Sequence, residues 1–230
     1  MLKNVRRDFL MGIKVVLCDD HQIIREGLRS LLEKQTDMAV IGEGANGLDA
    51  IRLVRDKKPD MLVLDISMPE MNGITAARRA FQEHPRLKIL ALSVHSDQHF
   101  VTEMLEAGAS GYMLKDSAFS ELAAAIRTIM SGGLFISPRI ANNVLEQFSK
   151  RAAPVARKKK TRKVELSPRE SEILQLIAEG KSSKDIAQTT NISVKTVETH
   201  RLHIMAKVGA HNVASLTKYA IREGLTSLEE

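Results

Sequence analysis

Five short runs of β-forming residues alternate with five amphipathic helical patterns along the first part of this chain. The runs are IKVVLC (13–18), MAVIGE (38–43), MLVLD (61–65), KILALS (88–93) and GYMLK (111–115), and the helical patterns cover 22–33, 47–56, 71–83, 97–107 and 118–131. Because these runs are almost entirely apolar, we expect strands that are buried on both faces, as in a parallel sheet covered by helices. The alternation therefore predicts an α/β domain over residues 12–133.

Acidic residues stand where two of these strands end. Asp19 and Asp20 follow the first run, and Asp65 ends the third. Right-handed crossovers bring all carboxyl ends of parallel strands to one edge, and a flavodoxin-like five-stranded order, 2-1-3-4-5, makes the first and third strands neighbours. Two like charges about 4 Å apart repel by roughly 4 kcal/mol at an effective dielectric of 20. The cluster is therefore expected to hold a cation, and its oxygen ligands favour Mg²⁺.

Two further strand ends add Ser93, a hydroxyl donor, and Lys115, a mobile cation. Together with a metal and carboxylates, these groups suit the clamping of a phosphoryl group. A carboxylate can itself be the attacking group, which gives an aspartyl phosphate. Any one of these residues alone is more often a turn or helix cap. Their joint placement at the ends of four strands favours a functional site.

Residues 165–226 show helical patterns and no strand pattern. Ser167, Pro168 and Glu170 form a helix start, Ser182 with Asp185 forms a second, and Ser193 opens a longer helix that stops at Gly209. A short helix, a tight turn and a longer helix are typical of the helix-turn-helix arrangement that binds double-stranded DNA. We therefore predict an all-α DNA-binding domain of four helices.

The longer helix carries an exposed stripe at helical spacing, which a helix-turn-helix presents to the major groove. The predicted DNA-contacting residues are Ser183, Lys184, Lys195, Thr196, Glu198, Thr199 and Leu202. Glu198 suits cytosine N4 and Thr199 a thymine methyl group, whereas Lys195 and Lys184 lie near helix starts, where phosphates bind. For any single residue, a solvated face is the alternative. The leucine at 202 weakens hydrogen-bonded readout and leaves the sequence preference open.

The basic excess of the chain is confined to its linker, residues 134–164. The formal net charge is +6, yet residues 150–163 hold eight basic residues and no acid, while 1–149 and 164–230 each carry a net charge of −1. This stretch is either a solvated spacer or a tether that attracts DNA phosphates. A helix beginning at Ser137 precedes it. The final helix of the chain has an apolar seam, Val213, Leu216, Thr217 and Ala220, which is either a dimer face or a core face.

Composition limits the environment of the protein. The apolar runs are too short to span a bilayer, and the single cysteine, Cys18, excludes an internal disulfide and suits a reducing cytoplasm. Cys18 lies in a strand pattern and is expected to be buried filler.

The motifs of both domains resemble a known family. LCDDH, LDISMPEMNG, LSVHS and GYMLKD match those of CheY-like receiver domains, and LSPRESEILQLIAEGKSSKDIA with SVKTVETHRLHIMAKVG matches LuxR-type output domains. The whole chain resembles a two-component response regulator of the NarL/FixJ family.

The resemblance implies a role for each residue of the acidic edge. Asp65 is the phosphoacceptor, Lys115 pairs with the phosphoryl group, Ser93 is the hydroxyl switch, Tyr112 is its aromatic partner, and Asp19, Asp20, Asp65 and the Ser67 carbonyl hold Mg²⁺. Ordinary core packing is the alternative for Tyr112. The implied partners are a sensor histidine kinase, a second copy of the chain when phosphorylated, and DNA.

Two other functions remain open. The same acidic edge would suit a phosphatase, although Ser67 stands where a haloacid-dehalogenase-type enzyme has its second acid. The chain could also bind DNA without phosphorylation, with a receiver domain that serves only for dimerisation. The expectation is a protein that is not an enzyme beyond its own Mg²⁺-dependent phosphorylation and dephosphorylation at Asp65.

Overall fold

The structure is a computed structural model that describes residues 12–141 and 166–226. Within these residues the chain forms an N-terminal α/β domain and a C-terminal helical domain. The strands are β1 (Ile13–Cys18), β2 (Met38–Gly44), β3 (Met61–Asp65), β4 (Lys88–Ser93), β5 (Gly111–Leu114) and β6 (Phe135–Ile136). The helices between them are α1 (Gln22–Glu33), α2 (Gly47–Lys57), α3 (Gly73–Glu83), α4 (Gln98–Glu106) and α5 (Lys115–Met130).

The sheet is parallel throughout and has the order β2-β1-β3-β4-β5-β6. The predicted order of the first five strands is confirmed. The sixth strand was not predicted, because Phe135–Ile136 is too short to give a pattern and lies in the segment assigned to the linker. It pairs with the outer edge of β5, where backbone groups would otherwise lack partners in the sheet.

Successive residues of the central strands enter two different apolar cores. Leu62 and Leu64 pack with α2, α3 and α4 on one face, while Val63 packs with α1 and α5 on the other. All three side chains are fully buried, and each contributes about 1.5–3 kcal/mol relative to an exposed position. Cys18 is buried filler, as expected, and burial raises the pKa of its thiol to about 12.

The start of α5 differs from the prediction. Pairing of β5 with β4 ends at Leu114 opposite Ser93, so the chain turns into the helix directly at Lys115 rather than at residue 118. Lys115 is therefore the first helical residue and not the last residue of the strand. Its side chain starts from the carboxyl edge of the sheet, where the acidic residues lie.

The C-terminal domain consists of α6 (Pro168–Ala178), α7 (Ser183–Thr190), α8 (Val194–Val208) and α9 (Val213–Arg222). The predicted capping boxes are present: Ser167 with Glu170 begins α6, and Ser182 with Asp185 begins α7. Gly209, with a φ of 68°, ends α8. Ile173, Ile186, Val197 and Leu216 contribute to one shared core, which fixes α8 by its buried side.

The linker is described only at its beginning. Residues 138–141 form the first turn of the helix predicted from Ser137. The remainder of that helix and the basic stretch at 150–163 lie outside the described residues.

Candidate functional site

The predicted acidic cluster forms at the carboxyl edge of the sheet. β1 pairs directly with β3, with Cys18 opposite Leu64, so the residues that follow them in the chain are neighbours. One ligand atom from each of Asp19, Asp20, His21 and Asp65 lies within 4.8 Å of the others. Asp19 and Asp65 are almost fully buried. The structure thus brings together the three carboxylates that the sequence analysis selected.

Lys115 joins two of these carboxylates. Its Nζ atom lies 2.8 Å from Asp19 Oδ2 and 2.8 Å from Asp65 Oδ2. Burial lowers the pKa of the Lys115 ammonium, but attraction to Asp65 and Asp19 outweighs burial and raises the pKa above its ordinary value. Lys115 is therefore a permanent cation that can follow negative charge at Asp65.

The cluster fits a divalent cation. Burial raises the pKa of the Asp65 carboxyl to about 7, although attraction to Lys115 opposes the shift. One ammonium compensates only part of the charge of three carboxylates that lie so close together. Mg²⁺ prefers oxygen ligands with room for water, and Asp19, Asp20 and Asp65 offer such a set beside the Ser67 carbonyl predicted to complete it.

The segment after Asp65 is shaped by its own sequence. Ser67 N–H donates to Asp65 Oδ1 at 3.3 Å, and the Asn72 side chain accepts from Thr75 N–H to begin α3. Gly73 is required because a Cβ atom there would lie 2.0 Å from the Asp65 carbonyl oxygen. This close approach explains the Asn-Gly pair in the motif and holds the loop 66–72 against the acidic cluster.

Ser93 and Tyr112 lie beside the cluster on β4 and β5. The Ser93 hydroxyl accepts from His95 N–H at 2.9 Å, and the Tyr112 hydroxyl donates to the His95 carbonyl at 2.9 Å. Tyr112 is fully buried. The burial of Tyr112 fits the core-packing alternative as well as a role as the aromatic partner of Ser93. The role of the pair as a switch stays a prediction.

His21 is a member of the cluster that the sequence analysis missed. Its ring atom Nδ1 lies 2.8 Å from Asp20 Oδ1, and its backbone N–H donates to Asp19 Oδ1. Burial lowers the pKa of His21, but attraction to Asp20 outweighs burial and raises the pKa. The signal in the sequence was the position of His21 directly after two acids at a strand end.

The loop 66–72 also contacts the C-terminal domain. Gln175 of α6 is fully buried, accepts from Asn72 N–H at 2.9 Å and donates to the Met68 carbonyl at 2.7 Å. The Glu179 carboxylate accepts from Glu70 N–H at 3.2 Å. Glu70 has a φ of 63°, a strained conformation for a residue with a side chain. The loop that leaves Asp65 thus ends on α6.

Further contacts between the domains involve α6 and the segment after α9. Arg79 of α3 pairs with Glu172 of α6 at 3.0 Å, and His99 of α4 lies 3.2 Å from Glu223. A Cβ atom on Gly224 would lie 2.0 Å from the Phe100 ring. Both ends of the C-terminal domain therefore pack on the N-terminal domain, through α6 and through the segment after α9.

The residues of α7 and α8 predicted to contact DNA are open to solvent. Lys184 on α7 and Lys195, Thr196, Glu198, Thr199 and Leu202 on α8 are exposed, and Ser183 at the start of α7 is half-buried. Glu198, predicted to accept from cytosine, is here hydrogen bonded to the Ser183 hydroxyl, so those two residues would have to separate to contact DNA independently. Val197 and Ile204 are buried on the opposite face.

The apolar seam of α9 serves mainly the core. Leu216 and Ala220 are fully buried in the core of the C-terminal domain. Val213 is 40% exposed and Thr217 is half-buried. Of the two roles considered for the seam, the core role holds for Leu216 and Ala220.

Comparison with known protein families assigns both domains. Residues 15–127 match the response regulator receiver domain, and residues 164–220 match the bacterial regulatory proteins of the luxR family. A relative in Staphylococcus epidermidis, oxygen regulatory protein NreC, is 37% identical over 93% of this chain and 99% of its own length. The chain belongs to the NarL/FixJ family of response regulators. It consists of a receiver domain and a LuxR-type DNA-binding domain.

Further relatives support the assignment. Transcriptional regulatory protein DegU of Brevibacillus brevis is 33% identical over 92% of this chain and 94% of its own length. A solved structure of RcsB from Salmonella enterica serovar Typhimurium, bound to promoter rprA with the phosphomimetic BeF3−, is 28% identical with a TM-score of 0.59. The match covers 90% of this chain and 98% of that one. No helix in the part of the chain described here has both the length and the apolar character needed to cross a membrane.

Proposed function

We propose that a partner histidine kinase phosphorylates Asp65 and that this modification controls dimerisation and sequence-specific DNA binding. The observation that carries the proposal is the position of Lys115 Nζ, 2.8 Å from both Asp65 and Asp19 at the carboxyl edge of the sheet. A cation poised between two buried carboxylates is suited to follow new negative charge on one of them. We also propose a cytoplasmic location, which fits the family and the single cysteine.

The Asp65 carboxylate is the attacking group. One of its oxygens forms a bond to phosphorus while the bond from phosphorus to the donor breaks, and the donor leaves with that electron pair. Asp19, Asp20, Asp65 and the Ser67 carbonyl would hold Mg²⁺, which when bound supplies positive charge to the phosphoryl oxygens. Lys115 gives up part of its contact with Asp65 and pairs with a phosphoryl oxygen, and the Ser93 hydroxyl donates to another.

The signal leaves the site through the loop 66–72. Ser67 N–H donates to the Asp65 carboxylate in the unmodified chain, so phosphorylation changes an acceptor to which this loop is bonded. Met68 and Asn72 in the same loop hold Gln175. A shift of the loop therefore weakens the hydrogen bonds that hold α6 on the N-terminal domain, and it frees the C-terminal domain for pairing with a second copy.

Double-stranded DNA is the proposed ligand of α8. Its exposed stripe is open while the domains are in contact, so the contact between the domains restrains the DNA-binding domain without covering the stripe. The net charge of −1 over residues 164–230 gives a single copy little long-range attraction for DNA. Pairing of two copies would supply the missing affinity by presenting two stripes to one operator.

Intact-mass measurement after incubation with Mg²⁺ and acetyl phosphate tests the proposal. The expected result is one stable phosphoryl adduct, which is lost in Asp65→Asn and kept in the control Asp56→Asn, an exposed acid on α2. Rapid consumption of the donor without an adduct would favour a phosphatase. A chain that stays unlabelled yet binds DNA would favour regulation without phosphorylation.

A further inference from the structure

The first residues of the linker are built into the sheet beside the proposed phosphorylation site. β6 pairs with β5, with Ile136 opposite Tyr112. Ser137 N–H then donates to the Tyr112 carbonyl at 3.0 Å. The strand that carries Tyr112 and leads into Lys115 is therefore bonded on its outer side by a segment that continues toward the DNA-binding domain.

The Ser137 side chain supports the junction between β5 and α5. Its hydroxyl accepts from Leu114 N–H at 3.3 Å and lies 3.3 Å from the Ser117 hydroxyl, which donates to the Leu114 carbonyl. Leu114 is the residue before α5 and has no side chain that could cap the helix. Ser137 is 1% exposed, so no solvent replaces these bonds where they are lost.

Two further contacts hold the segment in place. Ile140 is fully buried in the core that contains Tyr112 and Leu114. Arg139 forms an ion pair with Asp116, the second residue of α5. The first turn of the linker helix is thus attached to the same two elements that carry Tyr112 and Lys115.

We propose that Ser137 is a positioning residue for Lys115 and that it joins the phosphorylation site to the linker. Ser137 takes no part in bond making. It fixes the end of β5 and the first turn of α5, and so fixes the origin of the side chain that pairs with the phosphoryl group. The same residue begins the linker helix, since the Ser137 carbonyl accepts from Ala141 N–H at 3.1 Å. This inference rests on the proposed phosphorylation of Asp65.

Kinetics of phosphorylation of the full chain by acetyl phosphate in Mg²⁺ test the inference. Ser137→Ala and the nearly isosteric Ser137→Cys remove a strong acceptor, and we expect the maximal rate to fall about tenfold, since misplacement of a catalytic group is costly. The acetyl phosphate concentration at half-maximal rate should change much less. Ser137→Thr keeps the hydroxyl and should recover most of the rate. Ser120→Ala is the matched control, because Ser120 is exposed and bonds only within α5.

Tyr112 gives a second readout that a loss of stability alone would not move. The chain has two tyrosines and no tryptophan, so Tyr219→Phe leaves Tyr112 as the one site for 3-fluorotyrosine. Beryllofluoride should shift the fluorine resonance of Tyr112 in the Tyr219→Phe chain that retains Ser137. Adding Ser137→Ala to that chain should reduce the shift by at least half. A thermal melt of each variant confirms that it is folded.

The outcomes separate the two proposals. A parent chain that takes no phosphoryl group overturns the proposed function. A phosphorylated parent with unchanged rate and fluorine shift in Ser137→Ala and Ser137→Cys overturns the role of Ser137 alone. Equal loss in Ser137→Ala and Ser120→Ala would also overturn it, because the loss would then reflect α5 in general.

Discussion

Gln175→Met should separate the two domains without phosphorylation. Gln175 is fully buried and makes two hydrogen bonds to the loop that follows Asp65. Methionine has a similar length and volume and fills the same space, but it cannot replace either bond. The substitution therefore removes polar recognition of the loop while leaving the packing of α6 nearly unchanged.

The magnitude follows from the two bonds. When the domains are in contact, Asn72 N–H and the Met68 carbonyl would be buried without partners, whereas water would satisfy them after separation. An unsatisfied buried group costs about 1–3 kcal/mol, so the loss of both partners should weaken the contact by about 2–6 kcal/mol. That change shifts the equilibrium between the docked and separated states by a factor of roughly 30 to 20,000.

Amide hydrogen exchange of the loop 66–72 is the assay. Exchange of Asn72 N–H should accelerate by up to the same factor, because this amide is protected by Gln175. Affinity for DNA selected from a random pool should rise in the absence of a phosphodonor. Gln188→Met, at an exposed position on α7, is the control and should change neither quantity. Unchanged exchange in Gln175→Met, with a melting curve like that of the parent, would refute the reasoning.

Three further predictions concern the same contact and the linker. Gly224→Ala places a Cβ atom 2.0 Å from the Phe100 ring and should separate the domains. Gly180 also has a positive φ but no neighbour within 4 Å of an added Cβ atom, so Gly180→Ala should cost only about 1–2 kcal/mol of stability. Equal small-angle scattering profiles of the two variants would contradict this. Burial raises the pKa of Glu179 above its ordinary 4.5. Its protonated form therefore favours the docked state, and docking should weaken as pH rises from 4.5 through the raised pKa. Glu179→Gln stays neutral, so hydrogen exchange of the loop 66–72 should show tighter docking with less pH dependence, and looser docking would count against the prediction. Replacing the five Lys and Arg residues of 157–162 with Gln should weaken DNA binding and flatten its salt dependence, and an unchanged slope of affinity against salt would exclude the tether.

The pattern of apolar runs was sufficient to predict five parallel strands, and the flavodoxin-like order assumed for them is the order in the structure. Buried parallel strands require apolar residues on both faces, and that requirement is visible in the sequence as MLVLD or KILALS. Handedness then placed Asp19, Asp20 and Asp65 at one edge. These parts of the fold and the site depend on rules that act within one βα unit or between neighbouring units.

Contacts that depend on distant packing could not be predicted in this way. β6 forms because β5 has a free edge, a fact about the sheet that two residues of sequence do not carry. Gln175 lies on α6 between apolar residues and has no local signal for a partner 103 residues earlier in the chain. The hydrogen bond from the Tyr112 hydroxyl to the His95 carbonyl is likewise a property of the assembled domain, since it joins β5 to the loop after β4.

Hydrogen exchange of the full chain with and without beryllofluoride and Mg²⁺, measured alongside sedimentation, tests the central claim most directly. The account predicts that the mimic increases exchange in 66–72 and in α6, increases self-association, and does neither in Asp65→Asn. Unchanged exchange at α6 in a chain that demonstrably binds the mimic would contradict the claim that Asp65 controls the DNA-binding domain through this loop.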